Sequence, residues 1–288
     1  MRGALSSILG RVSTSRPIAD TQGTPRSAMF EILNAPPVDP FRAPLLDSHW
    51  PTLVILAAYL LFVLKVGRQL MEHREPFDLR GVIKVYNIVQ VLYNGIMLVG
   101  SFYFMLKTYD LKCIVNLPLD HEWKNTERWL TYSYFINKFL DLLDTVFFVL
   151  RKKHRHLSFL HIFHHAFMPY FCFLYIRFHG HGGHGFFLCF FNVLVHVLMY
   201  TYYYVSSVRR DGQAKVWFKQ YITIVQLAQF VIILIHCIYT LRQPDCNASR
   251  AVPVYGGLVA ITFIALFTNF YIKAYIMPKK KTSKRKVQ

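Results

Sequence analysis

Seven predominantly apolar stretches recur along the 288-residue chain, at 51–70, 85–106, 129–150, 158–176, 186–208, 220–241 and 252–277. Each approaches the roughly 17–25 residues that an α-helix needs to cross about 30 Å of hydrocarbon. Backbone inside lipid must satisfy its own hydrogen bonds, which leaves helices or closed barrels, and these runs are too long for barrel strands. The pattern therefore predicts an all-α polytopic membrane protein with seven transmembrane helices. No period of about 20–50 residues repeats, so a repeat array is not indicated.

Charge orients the bundle. The segments 65–84, 151–157, 209–219 and 278–288 together hold nineteen Lys and Arg, whereas 107–128, 177–185 and 242–251 hold seven. Positive loops stay in the cytosol. The N-terminus is expected outside, in the lumen, and the C-terminus in the cytosol. Composition agrees with lipid as the solvent, at 54% hydrophobic, 16% aromatic and only 17% charged. It excludes disorder as the dominant state, and it changes the meaning of the net charge of +18, which in a soluble chain would suggest nucleic acid. Asn247-Ala248-Ser249 is a glycosylation sequon in a loop expected to be lumenal. Cys113 and Cys246 alone of the five cysteines fall in such loops, where a disulfide can persist, although two unrelated thiols would look the same. Cys172, Cys189 and Cys237 fall inside spans and read as packing residues.

Three domains follow. Residues 1–49 form an N-terminal lumenal extension, disordered in large part; 50–277 form the seven-helix membrane domain; 278–288 form a basic cytosolic tail. Residues 1–17 are rich in Ser and Arg without acids, like a transit peptide, but the preferred reading is a plain lumenal extension, with Met29 as an alternative start.

Polar groups inside the spans carry the candidate chemistry, because a charge at mid-membrane costs about 2.5–3.5 kcal/mol and needs a reason. In KFLDLLDT, the residues Tyr134, Lys138, Asp141 and Thr145 share a narrow helical stripe with Asp144 at its edge. Lys138 and Asp141 could merely neutralise each other. HIFHH sets His161, His164 and His165 on one face of the fourth span, beside a basic loop. Imidazole there can bind metal, shuttle protons or accept an acyl group. In the fifth span His196, Met199, Tyr200 and Tyr203 follow helical spacing with Asn192 one turn earlier, and the sixth offers Thr223, Gln226 and Gln229. Both patterns also suit plain packing or interhelical glue. Together they predict several helices facing one chamber that opens toward the basic side.

REPFDLRGVIKVYN (74–87), KFLDLLDT (138–145), HIFHH (161–165), HVLMYTYY (196–203) and TIVQLAQ (223–229) stand in one order. In this the chain resembles the ELO family of very-long-chain fatty acid elongases over roughly residues 45–277. One departure is Asp141, where the family usually has Glu; the shorter acid keeps its charge but changes its reach. The resemblance implies an endoplasmic-reticulum membrane protein in which six of seven helices enclose an acyl-CoA tunnel. It implies 3-oxoacyl-CoA synthase activity, an acyltransferase reaction in which acyl-CoA and malonyl-CoA condense with loss of CO2 and CoA. No cofactor and no metal are implied. The partners are the two CoA thioesters, membrane lipid and other enzymes of the elongation cycle, with a homo-oligomer open and no nucleic acid. Lys284-Arg285-Lys286-Val287-Gln288 resembles a K-x-K-x-x retrieval signal.

Carried over motif by motif, substrate contacts fall on Lys138, Asp141, Arg151, Lys153, His156, Tyr202, Lys219, Thr223, Gln226 and Lys280. The middle histidine of HxxHH, His164, is the implied acyl-accepting nucleophile. His196 supports it, and His161 and His165 orient the ring or stabilise oxyanion charge. Cys172, seven residues after His165, is the rival nucleophile, but no neighbouring cation is expected to favour its thiolate. Chain length is expected to be set near Phe186, Phe187, Phe190 and Phe191, at the other end of the chamber. A di-iron desaturase also uses His boxes, yet the HGHGGHG loop with His179, His181 and His184 falls on the opposite face. A seven-helix receptor or transporter fits the topology but not the motifs.

Overall fold

The computed structural model describes residues 36–208 and 216–277. The first 35 residues, the basic tail with its retrieval-like pattern, and Lys280 lie outside the described residues. Among those described the structure is all-helical: α1 (His49–Glu72), α2 (Arg80–Thr108), α3 (Lys124–Leu140), α4 (Leu142–Leu150), α5 (Phe159–His179), α6 (His184–Val208), α7 (Val216–Leu241) and α8 (Ala251–Ile276). Six of these are long and apolar enough to span a membrane; the third apolar stretch is split at Asp141 into α3 and α4, of 17 and 9 residues.

Local chemistry fixes where the elements begin. Ser158 caps α5 by accepting from the His161 N–H, so the histidine box occupies the first turns of that helix. Pro169 lies inside α5 and has no N–H for the carbonyl of His165, which removes one helical bond just after the box. The α3–α4 helix breaks at Asp141. In α1 a wider turn spans Phe62–Val66 and ends at Gly67. A Cβ at Gly67 would stand 2.7 Å from the Phe62 carbonyl and 2.9 Å from Val149 Cγ1, so only glycine lets α1 approach α4 this closely.

α5 packs on α1, α3, α4 and α8, α2 on α6, and α7 on α8. The core is aromatic: Tyr134, Phe135 and Phe173 form one buried cluster, and Phe230, Phe263 and Phe267 another. Residues from Pro37 onward form one compact unit. Segment 37–48, assigned above to the extension, belongs to that body: Asp39, Ala43 and Leu46 are buried, with Ala43 and Leu46 in the core beside Tyr134 and Phe173.

Candidate active site

Asp141, at the α3–α4 break, is the hub of a buried polar cluster. Its carboxylate meets the Lys138 ammonium at 2.8 Å and His196 Nδ1 at 3.5 Å. It accepts from Tyr200 at 3.0 Å and from Gln90 Nε2 at 3.2 Å. Tyr200 also reaches Asp144 at 2.7 Å. Lys138 donates in addition to Asn192 Oδ1 at 2.9 Å, and Tyr134 donates to the same oxygen at 3.0 Å. A charge in lipid persists only with such compensation, and here three crossings supply it. From Gln90 the network runs on through Asn94 to Asn137, each amide bonded to the next at 3.0–3.1 Å.

The histidine box lies on the neighbouring α5. Tyr59 donates to Thr145 Oγ1 at 2.8 Å, and the same hydroxyl is hydrogen-bonded to His161 Nε2 at 2.9 Å. The His161 and His165 rings lie 4.2 Å apart, centroid to centroid, and His164 packs edge-on against Phe263 at 5.1 Å. His164 is in electrostatic range of Lys138, His196 and Asp141. Its Nδ1 is sealed from solvent, and neither ring nitrogen has a hydrogen-bond partner among the described residues; Nε2 retains accessible surface. All three box histidines are half-buried.

The basic end continues from the box. Phe148 stands between His161 and His156, 5.4 Å from one ring and stacked 4.9 Å from the other. Partial burial pushes the His156 imidazole down, assisted by the charges of Lys219, Lys153, Arg155 and Arg151. That clustering gathers four of the expected contact residues at one mouth: Arg151, Lys153, His156 and Lys219. Thr223 is buried and donates to the Lys219 carbonyl at 3.1 Å. Gln226 Nε2 lies 3.9 Å from Met199 Sδ, and the Tyr202 hydroxyl is buried without a hydrogen-bond partner among the described residues while its ring stacks on Phe218 at 5.1 Å. Sequence reasoning passed over Tyr59, Tyr86, Gln90 and Asn94. The last two share one face of α2 with Asn87, a polar stripe at helical spacing that could have revealed them.

A second charge cluster, at the disulfide end, was not anticipated. Asp39 is buried and receives Arg128 Nε on both oxygens at 3.0 Å, with Lys124 at 3.7 Å and His181 Nδ1 at 3.4 Å. Lys124 also meets Glu127 at 2.6 Å, and Glu127 accepts from Tyr109. Gly182, at φ +92°, is required here, since a Cβ would overlap the Glu127 carboxylate. The HGHGGHG histidines go separate ways: His181 to Asp39, His184 to Cys237 Sγ at 3.3 Å, and His179 beside Tyr175. Phe186 is buried against Phe104 and Tyr109, Phe187 stacks on His236 at 3.9 Å, Phe190 pairs with Phe102, and Phe191 packs on Phe187.

This cluster makes stability pH-dependent. Burial pushes His181 down to about 4, against the opposing pull of Asp39 and with a smaller push from Lys124 and Arg128. Between about pH 6.5 and 4 the unfolded chain therefore binds a proton that the folded one refuses, so stability falls as pH drops through that window. Burial alone would raise Asp39, but Arg128, the Phe41 N–H and His181 hold its carboxyl below the usual range, adding a further loss only at still lower pH. The melting temperature in detergent should drop between pH 7.5 and 5.0 in the wild type, and less in His181→Asn. Equal slopes would refute the assignment.

Cys113 and Cys246 form a disulfide with Cα atoms 5.4 Å apart, joining the α2–α3 and α7–α8 connections across 133 residues. Reduction should cost about 2–4 kcal/mol, read as a lower melting temperature that Cys113→Ser reproduces. Asn247, next to the bridge, is exposed.

Residues 44–283 match the ELO family, described as the GNS1/SUR4 family. The chain is 51% identical over 251 residues to "Very long chain fatty acid elongase F" of Drosophila melanogaster, covering 86% of this chain and 98% of that one. It is 36% identical over 238 residues to "Very long chain fatty acid elongase 7" of the same fly, covering 81% and 71%. To "Very long chain fatty acid elongase 4" of Homo sapiens it is 38% identical over 241 residues, covering 82% and 75%. The motifs that converge on Asp141 and the histidine box thus sit within a match spanning the whole membrane body, and the chain belongs to the ELO family.

Proposed function

We propose that this protein is a very-long-chain fatty acid elongase, a 3-oxoacyl-CoA synthase of the endoplasmic-reticulum membrane with its N-terminus lumenal. The observation that carries the reading is the meeting of three crossings at one buried site: His161, His164 and His165 on α5, Lys138 and Asp141 at the α3–α4 break, and His196 on α6. Condensation needs an acyl group held in activated form and a malonyl-derived enolate. His164 is the acyl carrier: its open Nε2 attacks the thioester, CoA leaves, and malonyl-CoA enters for decarboxylative attack on the acyl-imidazole. Such an imide-like donor is reactive enough to pass its chain on rather than store it. His196, fixed by Asp141, stands beside it to handle protons.

The cations around His156 suit CoA phosphates, and Phe148 leads from that mouth to His161. Half-buried box histidines suit a tunnel wall, and the Phe186–Phe191 region suits its far end. The purified protein given acyl-CoA and malonyl-CoA should yield 3-oxoacyl-CoA and one CO2 per CoA released. Expression in a host lacking its own elongases should lengthen fatty acids by two carbons; an unchanged lipid profile together with inactive purified protein would refute the proposal.

A further inference from the structure

We propose that Asn192 is a catalytic hydrogen-bond donor whose side-chain amide holds the oxyanion formed when His164 attacks the thioester; the inference rests on the elongase reading above. The orientation of this amide is unusually well determined. Its Oδ1 accepts from Lys138 Nζ at 2.9 Å and from Tyr134 at 3.0 Å. An ammonium has donors only, so the oxygen must face Lys138 and the NH2 group must face away. Among the described residues nothing accepts from Nδ2, yet this nitrogen is not sealed off, although Asn192 as a whole is only 6% exposed. A donor that keeps accessible surface inside the bundle, and has no partner there, is waiting for an acceptor.

The neighbourhood says which acceptor. His196 follows Asn192 by one helical turn on the same face, and His164 lies in electrostatic range of both Lys138 and His196. Lys138, drawing on Oδ1, polarises the amide and strengthens its N–H groups as donors to an anion. Asp141 fixes Lys138 in turn at 2.8 Å, so the donor is held in place before any charge develops.

In the step itself His164 Nε2 forms a bond to the acyl carbon, and the carbonyl π pair moves onto oxygen, where Asn192 receives it. Collapse re-forms C=O and breaks C–S. The acylated ring gives up its Nδ1 proton and the departing thiolate takes up one proton, which leaves free CoA and a neutral acyl-imidazole.

Asn192→Asp separates donor from scaffold, because a carboxylate still accepts from Lys138 and Tyr134 but cannot donate. CoA release from acyl-CoA alone should slow about 100-fold or more, with KM and the affinity for a non-reactive thioether analogue within about threefold of wild type. If the aspartate variant does not fold, Asn192→Ala is read for the same kinetic signature. Wild-type loading rates in a folded Asn192 variant, or a rate loss matched by lost analogue binding, would overturn the proposal. A wild-type protein that neither releases CoA nor elongates would instead overturn the elongase reading, and this inference with it.

Discussion

Replacing His164 with alanine is expected to remove the acyl adduct and to lower turnover by roughly 10⁴-fold or more, the scale on which covalent nucleophiles act. Incubated with acyl-CoA alone, the wild type should release CoA and gain an acyl mass on the peptide containing His164; the variant should do neither. The reason lies in ring position. His161 is tied through Nε2 to Thr145, whereas His164 Nε2 has no hydrogen-bond partner among the described residues and its ring is in electrostatic range of Lys138 and His196. His161→Ala should therefore load more slowly yet still acquire the adduct. Cys172 is buried in the aromatic core with Phe173 and Val193, so Cys172→Ala should load normally. An adduct on folded His164→Ala, or its loss from folded Cys172→Ala, would transfer the role to another group.

The second large effect is on folding. Asp39→Ala should destabilise the protein by about 3–5 kcal/mol, since it leaves the largely buried Arg128 guanidinium without its counter-ion. Lys124 retains Glu127, but Arg128 and His181 lose their principal acidic partner. The same change unlatches segment 37–48, whose Phe41 packs on Trp129, Tyr132 and His181. Thermal unfolding in detergent checks the size of the loss. Asp39→Asn with Arg128→Gln should recover part of it, because a neutral pair leaves fewer charges to compensate; no recovery would show that the segment's packing, not its charge, carries the stability.

The crossings were legible in the chain because lipid imposes a simple rule, that about twenty apolar residues must be helical there. The site helices were legible for the opposite reason: Lys138, Asp141 and the histidines violate that rule, and a violation in lipid marks either a site or a pair. Helical spacing correctly grouped Tyr134, Lys138 and Asp141, and it set Asn192 and His196 on one face. It could not show that these two faces meet through Lys138 and Asn192, since side-chain pairing between helices depends on their rotation and depth.

The disulfide-end cluster was hidden more deeply. Lys124, Glu127 and Arg128 read as the balanced charges of a solvated loop, and Asp39 as part of a tail, because each is ordinary in its own stretch of sequence. Only folding brings residue 39 within 3.0 Å of residue 128 and buries both Lys124 and Glu127 beneath a glycine loop. The sequence by itself determined the helical class, the crossings and which ionisable residues stand out inside them, through composition and local periodicity. The tertiary structure alone decided which partner each buried charge takes, because that choice is made by contacts between residues tens of positions apart, where no periodicity reaches.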